Sequence, residues 1–178
     1  MVRYVQRNLG RSFCTSPFRA PPVAWVPPIL FAAAAAAAGF ASGLLRWQPL
    51  SSPVAPILPF TLFVFPSLLE EVFFRGLLIP RDALDRSRGY AAAAIGWSTL
   101  AFVAWHPLNA LTVNPTANPL FLDPAFLAIA AALGAACGAS YVLSRSLWLP
   151  VLIHWAAVLA WVLALGGRNL LLEAAGAP

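Results

Sequence analysis

Glu70, Glu71 and Arg75 stand together in one apolar run, between Leu68 and Leu69 on one side and Val72, Phe73, Phe74, Leu77 and Leu78 around and beyond them. In lipid, each such charge costs about 2.5 to 3.5 kcal/mol at a helix centre, so three cost about 8 to 10 kcal/mol before pairing. Glu71 and Arg75 are four residues apart with the acid first, the favourable order for an ion pair along one helix face. Glu70 is left over. It lies about 140° around the helix from Arg75, so it faces a different neighbour and is a candidate general base. Both histidines of the chain, His106 and His154, also lie in apolar runs. Two glutamates and two histidines at membrane depth predict a convergent site in which Glu and His polarise a water molecule. No serine or cysteine stands in a recognisable dyad with either histidine. Cys14 and Cys137 form neither a disulfide framework nor a CxxC motif.

The elements that must carry these residues are membrane helices. Of 178 residues, 61% are hydrophobic and 10% are charged, against about 25% charged in an ordinary soluble domain. A soluble fold of this length buries only about 70% of the surface of its unfolded chain, too little to hide so much apolar area. The net charge of +5 comes from arginines set singly or in short clusters between apolar runs. That is the punctuation of a multi-pass membrane protein and not a phosphate-binding face, so nucleic acid is excluded as a partner. Five spans are predicted, at about 23–45, 57–79, 90–106, 124–143 and 147–165. The fold class is therefore all-α, a polytopic membrane bundle of about five helices. Residues 1–22 read as a flexible basic cytoplasmic arm, residues 23–167 as the bundle and residues 168–178 as a short tail. The apolar runs are too long for the segments of roughly 10 residues that build an outer-membrane barrel.

Arginines also set the orientation. With the N-terminus inside, the inner side collects Arg3, Arg7, Arg11, Arg19, Arg81, Arg86, Arg88 and Arg145, and the outer side only Arg46 and Arg168. Measured from the inner ends of their spans, His154, Glu70 and His106 come to depths of about 10, 16 and 24 Å. Tilts or a recessed loop must close that gap. Pro66 and Pro150 each precede a site candidate by four residues, where a proline can bend its helix. The loop 107–119 is predicted to follow His106, and Gly134 with Gly138 forms a GxxxG pair suited to close helix packing.

The string EEVFFRG at 70–76 looks like the EExxxR motif, Phe102 to His106 like FxxxH, and His154 with its helix like the HxxxN/D motif of the CPBP family. These are the glutamate intramembrane endopeptidases that include CAAX prenyl proteases and bacteriocin-processing or immunity proteins. The resemblance runs over about 54–167, with the motifs in the family's order. It implies that Glu70 and His106 activate a water, that Glu71, Arg75 and Phe102 support the site, and that His154 helps bind the oxyanion. It implies no cofactor and no metal. Val158 stands where the family usually carries Asn or Asp. An oxyanion donor must then come from elsewhere, with Trp155 and Asn109 as possible sources. The five predicted spans are also fewer than in the eukaryotic CAAX enzymes, so a prenylated CAAX substrate does not follow.

The expected function is an intramembrane endopeptidase that hydrolyses a peptide bond of a membrane-associated peptide or protein. The expected location is the bacterial inner membrane, since a composition rich in Ala, Arg, Gly and Pro without Lys suits a GC-rich genome. Two alternatives are a zinc-dependent membrane metalloprotease using His106, His154 and a Glu, which a chelator would inhibit, and a non-catalytic scaffold or immunity protein, which would tolerate Glu70→Gln. The arginine bias makes the topology testable. A reporter fused after Arg88 is expected in the cytoplasm and one within 112–118 outside, and reversed labelling would overturn the orientation.

Overall fold

A computed structural model describes residues 2–167, and among these the chain is all-helical apart from one isolated bridge between Gln48 and Leu165. Helix α1 (Val2–Phe13) is followed by two short 3-10 turns and α2 (Val26–Ser42). The alanine run of α2 supplies the strongest helix formers, and Gly43, at φ 79°, ends the helix in the left-handed conformation. The chain then passes the far end of the last helix, where the Gln48 and Leu50 amides donate to Ala164 O and Leu163 O at 3.0 and 2.8 Å.

Helices α3 (Leu58–Leu62) and α4 (Leu69–Glu71) are joined by the π-type segment Phe63–Leu68, and a second π-type segment, Val72–Leu77, follows. Phe65 has φ −133° and ψ 122°, the extended geometry that a following proline, here Pro66, imposes on the residue before it. The second predicted span is therefore broken about one turn before Glu70, as the placement of Pro66 suggested. Widened turns free backbone carbonyls, and in an apolar interior each needs a donor. Ser98 Oγ donates to Phe74 O at 2.7 Å, and Asn8 Nδ2 donates to Gly76 O at 2.6 Å and Ile79 O at 3.2 Å.

Those Asn8 bonds correct the prediction of a flexible arm. Residues 2–13 are helical, with Asn8 and Ser12 buried one turn apart. Asn8 Oδ1 also accepts from the Arg81 amide at 2.7 Å, Ser12 Oγ meets Tyr141 OH at 2.9 Å, and Trp148 Nε1 donates to Phe13 O at 2.8 Å. Hydropathy missed this docking because the buried anchors are polar.

After α5 (Ala83–Arg86), α6 (Arg88–Thr112) starts where Ser87 Oγ accepts the Tyr90 amide at 3.0 Å. It runs through Pro107 to Thr112, so the predicted loop from Pro107 is corrected to start six residues later. Proline removes one donor from the ladder, and the buried Asn109 and Ala110 hold the final turn. A 3-10 turn and α7 (Asn118–Phe121) lead to α8 (Pro124–Ser144), capped by Asp123, whose carboxylate accepts the Phe126 amide at 2.9 Å. Helix α9 (Trp148–Leu163) closes the bundle. Pro150 falls in the first turn of α9, where a missing N–H costs nothing, so it starts that helix and does not bend it.

Helix α8 is central and packs on α2, α6 and α9. Two helical stretches, Pro22–Ser42 and Pro124–Ser144, are long and apolar enough to cross a membrane, while α9 is apolar but has only 16 residues. Helix α6 is long enough but less apolar than α8. The described residues thus establish two candidate spans of the expected five. Docking of α1, the Arg81 Nε bond to Arg145 O at 3.3 Å and the pairing of Arg145 with Asp85 gather the clusters assigned to the inner side at one end of the bundle. Arg168 and the tail 168–178 lie outside the described residues.

The GxxxG pair lies where α8 meets α6. A Cβ on Gly134 would sit 3.0 Å from Thr99 Cγ2, and one on Gly138 would sit 3.1 Å from Ile95 Cγ2. Gly138→Leu is therefore expected to lower stability by about 1 to 3 kcal/mol through overpacking. Gly96→Leu, at a helical position with nothing within 4 Å, should be tolerated. Thermal unfolding of both variants in detergent checks this, and equal midpoints would remove the packing role.

Candidate active site

Glu70 and Glu71 are neighbours on α4, so their side chains diverge by about 100°. Glu71 is fully buried, and its Oε1 accepts from Arg75 Nη1 at 2.9 Å and lies 2.8 Å from His154 Nδ1. Arg75, also fully buried, donates through Nη2 to Gly134 O at 3.0 Å and places its guanidinium carbon 4.6 Å from the Phe102 ring centroid. The ion pair expected from the spacing is present, and it is one part of a network reaching α6, α8 and α9. An arginine suits this position because its planar fork satisfies a carboxylate and a carbonyl together while its face stacks on an aromatic ring.

Glu70 faces the other way. Its Oε1 accepts from Trp105 Nε1 at 3.1 Å, and its Oε2 lies 3.9 Å from His154 Nε2. His154 therefore stands between the two carboxylates, with Nδ1 toward Glu71 and Nε2 toward Glu70. Since Glu71 Oε1 already accepts from Arg75, Nδ1 is the donor in the His154–Glu71 bond. His106 Nδ1 lies 2.9 Å from Phe102 O, and a carbonyl can only accept, so Nδ1 carries the hydrogen and neutral His106 keeps the Nε2 lone pair free. Aromatic edges from Phe102, Phe121 and Phe126 surround this ring at centroid distances of 4.9, 5.2 and 5.4 Å. Phe121 comes from the segment after α6, which folds back over the site.

Glu70, His106, His154 and Asn109 line one cavity of about 880 Å³, whose remaining walls are mostly apolar and include Phe31, Ala35 and Phe40 of α2. The candidates read from the sequence thus meet: Glu70, Phe102, His106 and His154 at the cavity, with Glu71 and Arg75 packed behind it. The three groups Glu70, His106 and His154 reach one cavity despite the depths expected from their spans, with the Glu70 segment broken at Phe65. Trp105 was not singled out, although its position three residues after Phe102 and beside His106 puts it on the same helix face. Among the described residues no three His, Cys, Asp or Glu side chains are grouped to hold a metal ion. Cys137 is buried with Sγ 3.7 Å from Pro150 O.

An all-helical bundle with an arginine-anchored pair of glutamates and two histidines around an apolar cavity defines a membrane protein with a buried polar site. Residues 52–160, more than half of the chain, match the family model described as Type II CAAX prenyl endopeptidase Rce1-like. The chain belongs to this family, which is a membrane-embedded protease family. No curated protein and no solved structure matches the chain.

The two adjacent glutamates differ in what their loss would do to the fold. Glu71→Ala strands Arg75 and leaves His154 Nδ1 without its acceptor, and breaking a buried pair costs about 3 to 5 kcal/mol. Glu70→Ala removes a bond to Trp105 at the cavity wall and should cost about 1 kcal/mol. Yield and thermal stability in detergent compare the two. Equal losses would mean that the Glu71 junction does not hold the bundle together.

Proposed function

We propose that the chain is an endopeptidase that hydrolyses a peptide bond of a membrane-associated peptide or protein by direct attack of water, working in the bilayer with its N-terminus in the cytoplasm. The observation that carries this reading is the meeting of Glu70, His106 and His154 on one largely apolar cavity. A water held between Glu70 and His106 gives its proton to this pair as its oxygen attacks the scissile carbonyl carbon, and the carbonyl becomes a tetrahedral oxyanion. Collapse of that intermediate breaks the C–N bond, and the proton passes to the departing amine.

The partners of each group suit these roles. Trp105 fixes Glu70 through Oε1 and leaves Oε2 for the water. Phe102 O fixes His106 through Nδ1 and leaves Nε2 as an acceptor. His154, anchored at Nδ1 by Glu71, presents Nε2 beside Glu70, where as an imidazolium it can donate to the oxyanion. The apolar walls accommodate an apolar peptide segment or a lipid-modified one, and exclusion of bulk water strengthens every polar contact made there.

Loss of a general base commonly costs about 10² to 10⁴ in rate. Glu70→Gln and His106→Ala are each expected to lose activity on that scale while remaining inserted in the membrane. Comparison of new peptide termini in the membrane proteome of cells expressing wild type or either variant measures this. Wild-type processing by either variant would remove the mechanism.

A further inference from the structure

We propose that the side-chain amide of Asn109 is the neutral oxyanion donor of this site. The proposal rests on the hydrolytic reading above and adds to it a residue without an assigned role. Asn109 follows Phe102 by seven residues and His106 by three on α6, so all three lie on one helix face. It lines the same cavity as Glu70 and His154, is 8% exposed, and its Oδ1 is buried without a hydrogen-bond partner. A buried amide lacking a partner costs about 1 to 3 kcal/mol. Oδ1 is an acceptor, so this position serves a developing oxyanion only when the amide turns its NH₂ group into it.

Three indole donors at the cavity are engaged, and Trp25 and Asn114 also line it. Trp155 Nε1 donates to Pro59 O at 2.8 Å, Trp105 Nε1 donates to Glu70, and Trp161 Nε1 reaches Leu44 O at 3.4 Å. Of the two sources that the sequence left open, Trp155 is thereby removed. His154 gives its Nδ1 hydrogen to Glu71, so neutral His154 has no hydrogen left on Nε2 and can donate there only as an imidazolium. Val158, one turn beyond His154 on α9, also lines the cavity and can donate nothing. The two polar ends of the Asn109 amide can exchange by rotation about its last side-chain bond. Its NH₂ group can therefore turn toward a developing negative oxygen, and its capacity to donate does not depend on a proton that Glu70 competes for.

Removal of one oxyanion donor typically costs about 10² to 10³ in rate. The experiment follows, over time, the new peptide termini in the membrane proteome of cells expressing the full chain as wild type, Glu70→Gln, Asn109→Ala, Asn109→Asp or the double variant Asn109→Ala with Val158→Asn. Processing by both Asn109 single variants is expected to fall by about 10² or more. Asn109→Asp keeps the side-chain volume, and yield and thermal stability in detergent show that each variant compared is folded. The double variant places an amide on the α9 side of the same cavity and is expected to recover at least about tenfold, as donation from a second position would allow. A purely structural Asn109 would not be rescued from another helix, so loss without rescue overturns the proposal. Wild-type rates in Asn109→Ala overturn it while leaving the Glu70 mechanism in place. If no terminus depends on Glu70, the hydrolytic reading fails and the donor role fails with it.

Discussion

The junction at Glu71 Oε1, 2.9 Å from Arg75 Nη1 and 2.8 Å from His154 Nδ1, is the constraint on which the other elements of the bundle depend. Desolvating each ion costs several kcal/mol even after relaxation, so the charges can persist only if their geometry is good and their remaining polar atoms find partners. Arg75 meets part of that demand with the Gly134 carbonyl of α8 and the face of Phe102 on α6, and His154 brings in α9, while Arg75 Nε and Glu71 Oε2 stay buried without a partner. One carboxylate thereby fixes the mutual placement of four elements. The same requirement explains why a glycine is needed at 134, since a Cβ there would lie 3.4 Å from Arg75 Nη2 and 3.3 Å from Phe102. A bulkier residue would lift the arginine from the carbonyl that it uses.

At the arginine-rich end, α1 meets a second demand created by the sequence around the glutamates. The π-type segment after Glu71 leaves carbonyls exposed, and Asn8 closes that of Gly76 and, just beyond the segment, that of Ile79 while accepting from the Arg81 amide. The opposite face of the Glu70 segment opens on the cavity, where Phe65 and Pro66 interrupt the helix. The segment is thus tied down on the network side and interrupted on the cavity side. That asymmetry lets one glutamate be structural while its neighbour stays available for chemistry.

How much of this was readable from the sequence depended on the range of the interaction. The Glu71–Arg75 pair was legible because four-residue spacing on a helix is local geometry, and the separate environment of Glu70 was legible for the same reason. The partners that complete the site were not: Trp105 reaches Glu70 across 35 positions and His154 reaches Glu71 across 83. Helix α8 was read almost to its ends from its continuous apolar run, 124–143 against Pro124–Ser144. Helix α6 was cut short at Pro107 because a proline was weighed as a terminator, whereas packing around Asn109 and Ala110 carries the helix onward. Helix α1 was missed because apolarity served as the marker of burial, and its anchors are an asparagine and a serine.

The last consequence concerns how the two imidazoles divide their work. Each has its Nδ1 hydrogen committed, His106 to the carbonyl of Phe102 one turn earlier and His154 to a carboxylate. A backbone carbonyl holds a neutral ring in a fixed tautomer, so His106 is set up to accept a proton at Nε2. The carboxylate at His154 Nδ1 fixes that ring as well, with Nε2 turned toward Glu70. Composition places both histidines in apolar helices, and in the sequence only the motif resemblance separates them. Their Nδ1 partners differ, a backbone carbonyl within α6 for His106 and the Glu71 carboxylate for His154, and in both rings Nε2 is the nitrogen left to act in the proposed reaction.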